Sequence, residues 1–300
     1  MLELKHITKS FGETNAVNDV SAVIQDGMIF GLVGSNGAGK STLLRLISGI
    51  YRPESGSITL DGVSIFETPA SKQQICFLSD TANFFPNATA ESMCHYYQLN
   101  YPDFNRDYFF KLIQKFNIPA RKKLQTFSKG QKKQVTLLLG LCTGTRYLLC
   151  DETFDGLDPV MRQTINSLFA AELMKRDFTP IISSHNLREL EDICDTVGLI
   201  HNGKLLFTRD LDTMRCNINK IQCVISDHAK EEELLSELSI LQYEKSGSLL
   251  TITARGSRDE ILKHTMDKEP VFAEVLPLSL EEIFISETEV AGYDFKDFLQ

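Results

Sequence analysis

The chain has 300 residues, 42% of them hydrophobic and 24% charged, a composition typical of a soluble globular protein. Its net charge of −9 argues against a protein whose main work is to coat nucleic acid. The longest stretch without a charged residue, Gly27–Gly39, has 13 residues. A membrane-spanning helix needs about 20 predominantly apolar residues, so we expect no span. We expect no secretory signal from the first residues, and seven scattered cysteines indicate reduced thiols rather than disulfides or a zinc site.

From residue 1 to about residue 210, short apolar runs alternate with longer stretches of helical period. Such runs indicate buried strands of a mostly parallel sheet covered by helices, an α/β fold. Between about residues 87 and 141 the strand signal is absent, and we expect a helical insertion there. The predicted strands are Met28–Val33, Ile75–Leu78, Tyr147–Cys150, Pro180–Ile182 and Thr196–Ile200, and the predicted helices of the insertion are Glu91–Leu99, Arg106–Phe116 and Lys129–Leu141.

After Arg215 the pattern changes to the order βαββαβ, which matches a small α+β unit of ferredoxin-like topology. We therefore expect a first domain of residues 1–215 and a small accessory or regulatory domain of residues 216–300. The predicted elements of the second domain are strands Lys220–Ser226, Leu241–Ser246, Leu249–Ala254 and Val271–Leu276 and helices Ala229–Leu238, Ser257–Met266 and Leu280–Ile285.

A glycine-rich segment between the first buried strand and a helix fits the pattern G-x-x-x-x-G-K-[ST]. Its glycines let the backbone fold around a polyphosphate, at a helix N-terminus whose dipole favours anions. Lys40 would reach the β- and γ-phosphates, and the Ser41 hydroxyl would ligate Mg²⁺. The alternative is a strand–helix turn that needs glycine only for close packing. The predicted ATP-binding residues of this phosphate cradle are Gly34, Ser35, Asn36, Gly37, Ala38, Gly39, Lys40, Ser41 and Thr42.

Two carboxylates and a histidine follow other apolar strands far downstream. Asp151 and Glu152 end the run Tyr147–Cys150, where Asp151 can hold the metal and Glu152 can act as the general base that deprotonates the attacking water. His185 follows the next strand, where its imidazole can hydrogen-bond a γ-phosphate. The alternatives are an acidic pair that begins a polar loop and a structural histidine. With the cradle present, we interpret Glu152 and His185 as catalytic residues.

With these parts in order, the chain resembles the ATP-binding subunit of an ABC transporter over about residues 1–210. The diagnostic addition is Phe127-Ser128-Lys129-Gly130-Gln131, which resembles the family's signature loop and lies 23 residues before Asp151. The resemblance implies a P-loop NTPase cassette in which two ATP-binding subunits close head to tail, as a homodimer or a heterodimer. Ser128, Gly130 and Gln131 would then contact the nucleotide held by the partner's cradle.

Other positions of the family pattern map one at a time. Phe11 matches the aromatic that stacks on adenine, with a buried Phe at a strand end as the alternative, and Asp158 matches a residue that couples the two subunits. Asp80 replaces the usual glutamine after the strand that follows the cradle helix. An aspartate can still contact the metal but cannot donate to water, which raises the possibility of slow turnover. Lys129 replaces a glycine, and Asp155 takes a position usually held by a small residue.

Two further segments each have two interpretations. Six basic residues lie within 13 positions around the signature loop, either as a solvated helix face or as a surface that attracts nucleotide or anionic lipid. The aromatic-rich run Asn83–Asn87 is either a docking surface for a membrane subunit, as the resemblance implies, or a loop anchored in the core. The basic residues are Arg121, Lys122, Lys123, Lys129, Lys132 and Lys133.

The leading hypothesis is a MgATP-hydrolysing subunit at the cytoplasmic face of the membrane that powers a separate polytopic membrane subunit. One cassette with an appended small domain, and a tail at Ser279–Phe284, resemble bacterial or archaeal exporters. One alternative is a soluble ABC-type ATPase acting on ribosomes or DNA, which the single cassette and the acidic charge disfavour, and we expect no nucleic-acid partner. The other alternative is a slow, nucleotide-switched regulatory subunit, which Asp80 favours and Glu152 disfavours.

Overall fold

A computed structural model describes residues 1–279 and 281–285. Within these residues the chain divides into two compact units, Met1–Thr208 and the residues from Arg209 onward. The boundary expected between residues 215 and 216 falls inside the helix Leu211–Asn217.

The first unit contains two sheets. A four-stranded antiparallel sheet has the order β2-β1-β4-β5, and a six-stranded sheet has the order β10-β9-β3-β8-β7-β6. The strands are β1 (Leu2–Phe11), β2 (Thr14–Ile24), β3 (Phe30–Val33), β4 (Ser55–Leu60), β5 (Val63–Ser64), β6 (Ile75–Leu78), β7 (Tyr147–Asp151), β8 (Thr179–Ser184), β9 (Thr196–His201) and β10 (Lys204–Asp210).

Helices pack against these sheets, and three of them form the insertion predicted from the sequence. The helices of the first unit are α1 (Lys40–Ile47), α2 (Pro69–Lys72), α3 (Ala90–Asn100), α4 (Arg106–Lys115), α5 (Lys129–Leu141), α6 (Pro159–Leu173) and α7 (Leu187–Glu191), with a 3₁₀ turn at Leu124–Thr126. The insertion therefore consists of α3, α4 and α5, between strands β6 and β7.

The six-stranded sheet is parallel along β6, β7, β8, β3 and β9. Its central strands read as continuous apolar runs because both faces are covered, as expected for a buried parallel sheet. The carboxyl ends of parallel strands meet at one edge, which is where ligands bind in open α/β sheets. The segments that follow β3, β7 and β8 therefore come together at this edge.

The second unit is a four-stranded antiparallel sheet in the order β12-β13-β11-β14, with its apolar face covered by a core that includes Ile221, Leu234 and Ile252. This order and the sequence βαββαβ are those of the ferredoxin-like fold. Residues 281–285 are also helical, whereas Leu280, the first residue of the predicted last helix, lies outside the described residues. The elements are α8 (Leu211–Asn217), β11 (Ile218–Val224), α9 (His228–Glu237), β12 (Ser239–Ser246), β13 (Leu249–Arg255), α10 (Arg258–Met266) and β14 (Phe272–Leu276).

None of the helices within the described ranges combines the length and the apolar character needed to cross a bilayer.

Candidate functional site

The phosphate cradle, residues 34–42, connects β3 to α1 at the carboxyl edge of the parallel sheet. Gly39 has a φ of 109°, a left-handed value that L side chains rarely adopt, and a Cβ there would lie 2.3 Å from the Ala16 carbonyl oxygen. A Cβ at Gly34 would lie 2.4 Å from the Ile200 carbonyl oxygen. These two glycines are therefore required by close backbone approach, while the loop they form leads straight into a helix.

The helix α1 begins without a side-chain cap, because its N-cap residue is Gly39. Among the α-helices α1 to α10, only α1 and the four-residue α2 lack such a cap. The first N–H groups of a helix have no partner inside the helix, and their dipoles favour an anion. Within residues 1–279 and 281–285, no side chain caps this helix start, which fits an external phosphate.

Lys40 is 4% exposed, and its ammonium lies over the cradle. Nζ donates to the carbonyl oxygens of Gly34, at 2.6 Å, and Ser35, at 3.0 Å. It also forms an ion pair with Glu152 Oε1 at 3.3 Å. The arrangement brings the cradle lysine and the predicted general base to the same point.

Asp151 ends β7 and is fully buried. Its Oδ1 accepts hydrogen bonds from Ser41 Oγ, at 2.9 Å, and Ser183 Oγ, at 3.0 Å. Its Oδ2 is buried without a hydrogen-bond partner. Burial raises the pKa of Asp151, against the opposing effect of the Ser41 hydrogen bond. The unpartnered Oδ2 of Asp151 and the nearby Ser41 hydroxyl are both hard oxygen donors. Mg²⁺ prefers such donors, so these residues fit the ion.

Glu152 turns into the cleft because its backbone leaves the extended conformation of β7. Its φ is 47°, in the left-handed region that is unusual for a residue other than glycine. Its N–H donates to Ser183 Oγ at 3.1 Å. Adjacent strand residues normally face opposite sides of a sheet, and this turn at the strand end allows both carboxylates to lie at the site.

His185 lies just beyond β8, with 47% of its side chain exposed. Its Nδ1 is 3.2 Å from Asp155 Oδ2. Suitable ligand atoms of Glu152, Asp155 and His185 all lie within 4.8 Å of one another. His185 therefore lies beside Glu152 at the carboxyl edge of the parallel sheet.

Asp155, which is partly buried, forms an acidic pair with the buried Glu189 that sequence reasoning did not find. Ser184 Oγ donates to Glu189 Oε2 at 3.0 Å, and Glu189 is also paired with Arg162 at 2.8 Å. Burial, together with a hydrogen bond to Glu189, raises the pKa of Asp155 to about 7. The sequence showed a carboxylate in place of a small residue, but only the fold brings it against Glu189.

Asp80 forms its hydrogen bonds with its sequence neighbours Ser79 and Thr81. Its Oδ1 accepts hydrogen bonds from Ser79 Oγ, at 3.1 Å, and from the Thr81 N–H, at 2.6 Å. Among the described residues it makes no hydrogen bond to Ser41 or Asp151. Burial acts to raise its pKa, but the hydrogen bonds from Ser79 and Thr81 leave the pKa below its usual value. Its role as a metal ligand stays a prediction.

The signature loop begins α5, and its residues cap that helix. Ser128 Oγ accepts from the Gln131 N–H at 3.2 Å, and Gln131 Oε1 accepts from the Ser128 N–H at 3.1 Å. The hydroxyl hydrogen of Ser128 and the amide NH₂ of Gln131 remain for another partner. Gly130 leaves its backbone open, since a Cβ there would meet only the Gly156 carbonyl oxygen, at 3.7 Å.

Phe11 is 49% exposed, so the alternative of a buried Phe at a strand end is wrong. Its ring makes an edge contact with Tyr51 at 5.5 Å between centroids. It pairs with Thr14 across the β1–β2 hairpin, and Thr14 lines a cavity of about 300 Å³ over the cradle. The cavity is also lined by Asn15, Asn202 and Gly203, residues that sequence reasoning missed because no local pattern marks them.

Lys133 is one of the six basic residues around the signature loop, but it is only 4% exposed. Both interpretations of that run, as a solvated face and as a surface that attracts nucleotide or lipid, are wrong for this residue because its ammonium lies inside the protein.

Asp158, at the other end of the loop that begins at Glu152, caps α6 by accepting from the Met161 N–H at 2.9 Å.

Comparison with known proteins shows which family this chain is similar to. The sequence model of the ABC transporter family matches residues 17–155, which span the cradle, the signature loop and both carboxylates. The ABC transporter ATP-binding protein YtrB of Bacillus subtilis (strain 168) is 32% identical over 286 residues, covering 95% of this chain and 97% of the relative. The bacitracin transport ATP-binding protein BcrA of Bacillus licheniformis is 27% identical over 241 residues and covers 79% of each chain.

Solved structures show the same fold. An ATP-binding subunit of an ABC transporter is 25% identical, with a TM-score of 0.65 over 72% of this chain and 92% of that chain. A dimeric ATP-binding cassette, bound to ADP and Pi in a post-hydrolysis state, is 20% identical with a TM-score of 0.64 over 70% of this chain and 99% of that one, and it shares the fold. With the identity to YtrB along almost the whole chain, these findings show that the chain belongs to the ABC transporter family as an ATP-binding, ATP-hydrolysing protein.

Proposed function

We propose that this ATPase powers a separate membrane-spanning subunit, with export as the direction of transport. The observation that carries the proposal is the convergence of Lys40, Ser41, Asp151 and Glu152 at an uncapped helix start. This arrangement provides an anion site, a set of metal donors and a carboxylate base within contact of one another. Such a site is suited to turn ATP hydrolysis into work on a partner.

Each residue of the site has one role in this proposal. Lys40 and the N–H groups of the cradle hold the β- and γ-phosphates. Ser41 and Asp151 hold Mg²⁺, which supplies charge neutralisation when it is bound. Glu152 orients and deprotonates the attacking water, and His185 hydrogen-bonds the γ-phosphate. Phe11 stacks on the adenine.

The site is completed across two subunits in this proposal. The donors of Ser128 and Gly130 that the α5 cap leaves free would bind the γ-phosphate held by the partner's cradle, with Gln131 in the same loop. A small hydroxyl and a bare backbone at a helix start suit an anion. ATP would therefore close the head-to-tail dimer, and hydrolysis with product release would reopen it.

The membrane partner is supported by the relatives and by one exposed aromatic pair. YtrB and BcrA are named as ATP-binding proteins of transport systems, and another relative, LptB of Haemophilus influenzae, is named for export. In the run Asn83–Asn87, Phe85 is 54% exposed and contacts the partly exposed Tyr96 at 5.0 Å between centroids. An exposed aromatic pair of this kind suits a docking surface for a membrane subunit. The chain would then lie peripherally at the cytoplasmic face.

The catalytic part of the proposal is tested with Glu152→Gln. The amide keeps the size of the side chain but cannot accept the proton of water. We expect turnover of MgATP to fall by about 10²- to 10⁴-fold. Binding of MgATP should persist, and closed dimers should accumulate in size-exclusion chromatography. Glu67→Gln, an exposed carboxylate away from the cradle, is the matched control and should turn over as the wild type does. Unchanged turnover in Glu152→Gln would favour the regulatory subunit.

The transport part is tested by tagging the chain in its own cell and identifying the proteins that co-purify in mild detergent. A polytopic membrane protein in stoichiometric amount would support the proposal. A ribosome, DNA or exclusively water-soluble partners would contradict it and favour the soluble ATPase.

A further inference from the structure

Lys133 lies in the second turn of α5 and is buried, unlike Lys129 in the first turn. Lysine is almost never fully buried unless its ammonium is paired. Burial lowers the pKa of Lys133, while the Asp155 carboxylate opposes that effect. A buried cation at this position therefore has to be held by specific partners.

Those partners are two backbone carbonyl groups of the loop after β7. Lys133 Nζ donates to the Glu152 carbonyl oxygen at 2.6 Å and to the Asp155 carbonyl oxygen at 2.7 Å. The two contacts bridge the start of this loop to its middle. They involve neither the Glu152 carboxylate nor the cradle, so Lys133 does not compete for the nucleotide.

The bridged backbone is the one that turns Glu152 into the cleft. A non-glycine residue in the left-handed region costs on the order of 1–3 kcal/mol and persists only where its surroundings enforce it. Glu152, with φ at 47°, is in that region. Ser183 holds its N–H, and Lys133 holds its carbonyl oxygen, so the peptide groups on both sides are fixed.

We propose that Lys133 is a positioning residue that holds the Glu152 loop in its catalytic conformation. The inference rests on the proposed role of Glu152 as the general base. Lys133 touches no reacting atom and acts through the backbone of the base.

The position of Lys133 on α5 gives this contact a second consequence. Ser128 caps the same helix five residues earlier, about 7.5 Å along the axis at 1.5 Å per residue. In the proposed dimer Ser128 contacts the nucleotide of the partner. In that dimer, the first turns of α5 therefore connect the partner's γ-phosphate to this subunit's own base, with Lys133 as the contact on the buried side of the helix.

The test compares Lys133→Met with Lys111→Met, which removes an exposed lysine of α4, another helix of the insertion. Methionine fills the volume of the lysine stem but cannot donate. Because displacing a catalytic group by about 1 Å costs about 100-fold, we expect kcat for MgATP to fall by about 10- to 100-fold in Lys133→Met. The KM should stay within about threefold, Lys133→Arg should recover part of kcat, and Lys111→Met should leave both constants unchanged.

A double-mutant cycle separates positioning from a merely structural role. If Lys133 acts through Glu152, Lys133→Met should add little further loss of turnover in the Glu152→Gln background. Equal losses in both backgrounds would overturn the proposal. So would wild-type kcat in Lys133→Met, or a raised KM with kcat unchanged. If Lys133→Met does not fold, Lys133→Gln and Lys133→Arg carry the same comparison, with the neutral donor expected to be the slower of the two.

The same experiment distinguishes this inference from the proposed function. Wild-type turnover in Glu152→Gln would show that Glu152 is not the general base, and the proposed function would fail together with this inference. Loss of turnover in Glu152→Gln, together with wild-type turnover in Lys133→Met, would support Glu152 as the general base. It would contradict only the positioning role of Lys133.

Discussion

Two helix starts in this chain carry glycine-containing motifs, and they differ in how their backbone groups are satisfied. The start of α1 follows Gly39 and has no side-chain cap. The start of α5 is closed by the reciprocal hydrogen bonds of Ser128 and Gln131. The first leaves its N–H groups to a ligand, whereas the second is stable by itself and keeps only a hydroxyl hydrogen, an amide and an open backbone for a partner. In the proposed function, this difference lets the cradle bind phosphate within one chain and leaves the signature loop with donors for a ligand held by another.

The largest effect is expected from removing the cation at the start of α1. Lys40→Ala removes a cation that would make about two charge-assisted contacts to phosphate, each worth about 1.5–3 kcal/mol. We expect the Kd for MgATP to rise by about 10²-fold or more, already in the monomer. Titration with a fluorescent ATP analogue measures the change. Lys111→Ala, which removes an exposed lysine of α4, should bind as the wild type does, and equal binding by Lys40→Ala would refute the cradle.

The second effect separates capping from ligand binding at α5. Ser128→Ala removes both the cap and the free hydroxyl, while Thr89→Ala removes only the cap of α3, which has the same reciprocal pattern with Ser92. Each variant should lose about 1 kcal/mol of stability. Only Ser128→Ala should also lower turnover by about tenfold or more, because it loses a hydrogen bond to charged phosphate.

Nucleotide binding by monomeric Ser128→Ala should stay at the wild-type level in the same titration. If the two capping variants lower turnover equally, the effect of Ser128 is structural and the contrast between the two helix starts is lost.

The smallest effect concerns the loop that lies beside α5 and carries Asp155. The pKa of this carboxyl is raised to about 7 in the fold, by burial and by Glu189, from about 3.9 in an unfolded chain. Between about pH 4 and pH 7 the folded state therefore binds more protons than the unfolded state, and this contribution to stability is lost as the pH rises through that window.

Asp155→Asn removes the titration at that position. In thermal melts, the Tm of the variant should rise relative to that of the wild type between pH 5 and pH 8. The expected rise is about 2–4 °C for each kcal/mol of difference in the free energy of unfolding. A difference in Tm that does not vary with pH would contradict the raised pKa.

The sequence predicted the parts of this molecule that depend on local pattern. The cradle, Asp151, the strand Ile75–Leu78 and the helix Lys129–Leu141 follow from residue type and period. It could not predict the burial of Lys133, because a run of lysines looks the same whether one of them points inward or not. The pairing of Asp155 with Glu189 and the contact of Ser183 with Asp151 depend on strand order, which brings together residues that are distant in the chain.

The most direct test of a site shared by two subunits is the turnover of a mixture of Lys40→Ala and Ser128→Ala chains. In a mixed head-to-tail dimer, one site carries both defects and the other combines an intact cradle with an intact signature loop. The account predicts that MgATP turnover of the equimolar mixture rises above the average of the two variants measured alone. Turnover equal to that average would contradict it, because each chain would then hold its whole site by itself.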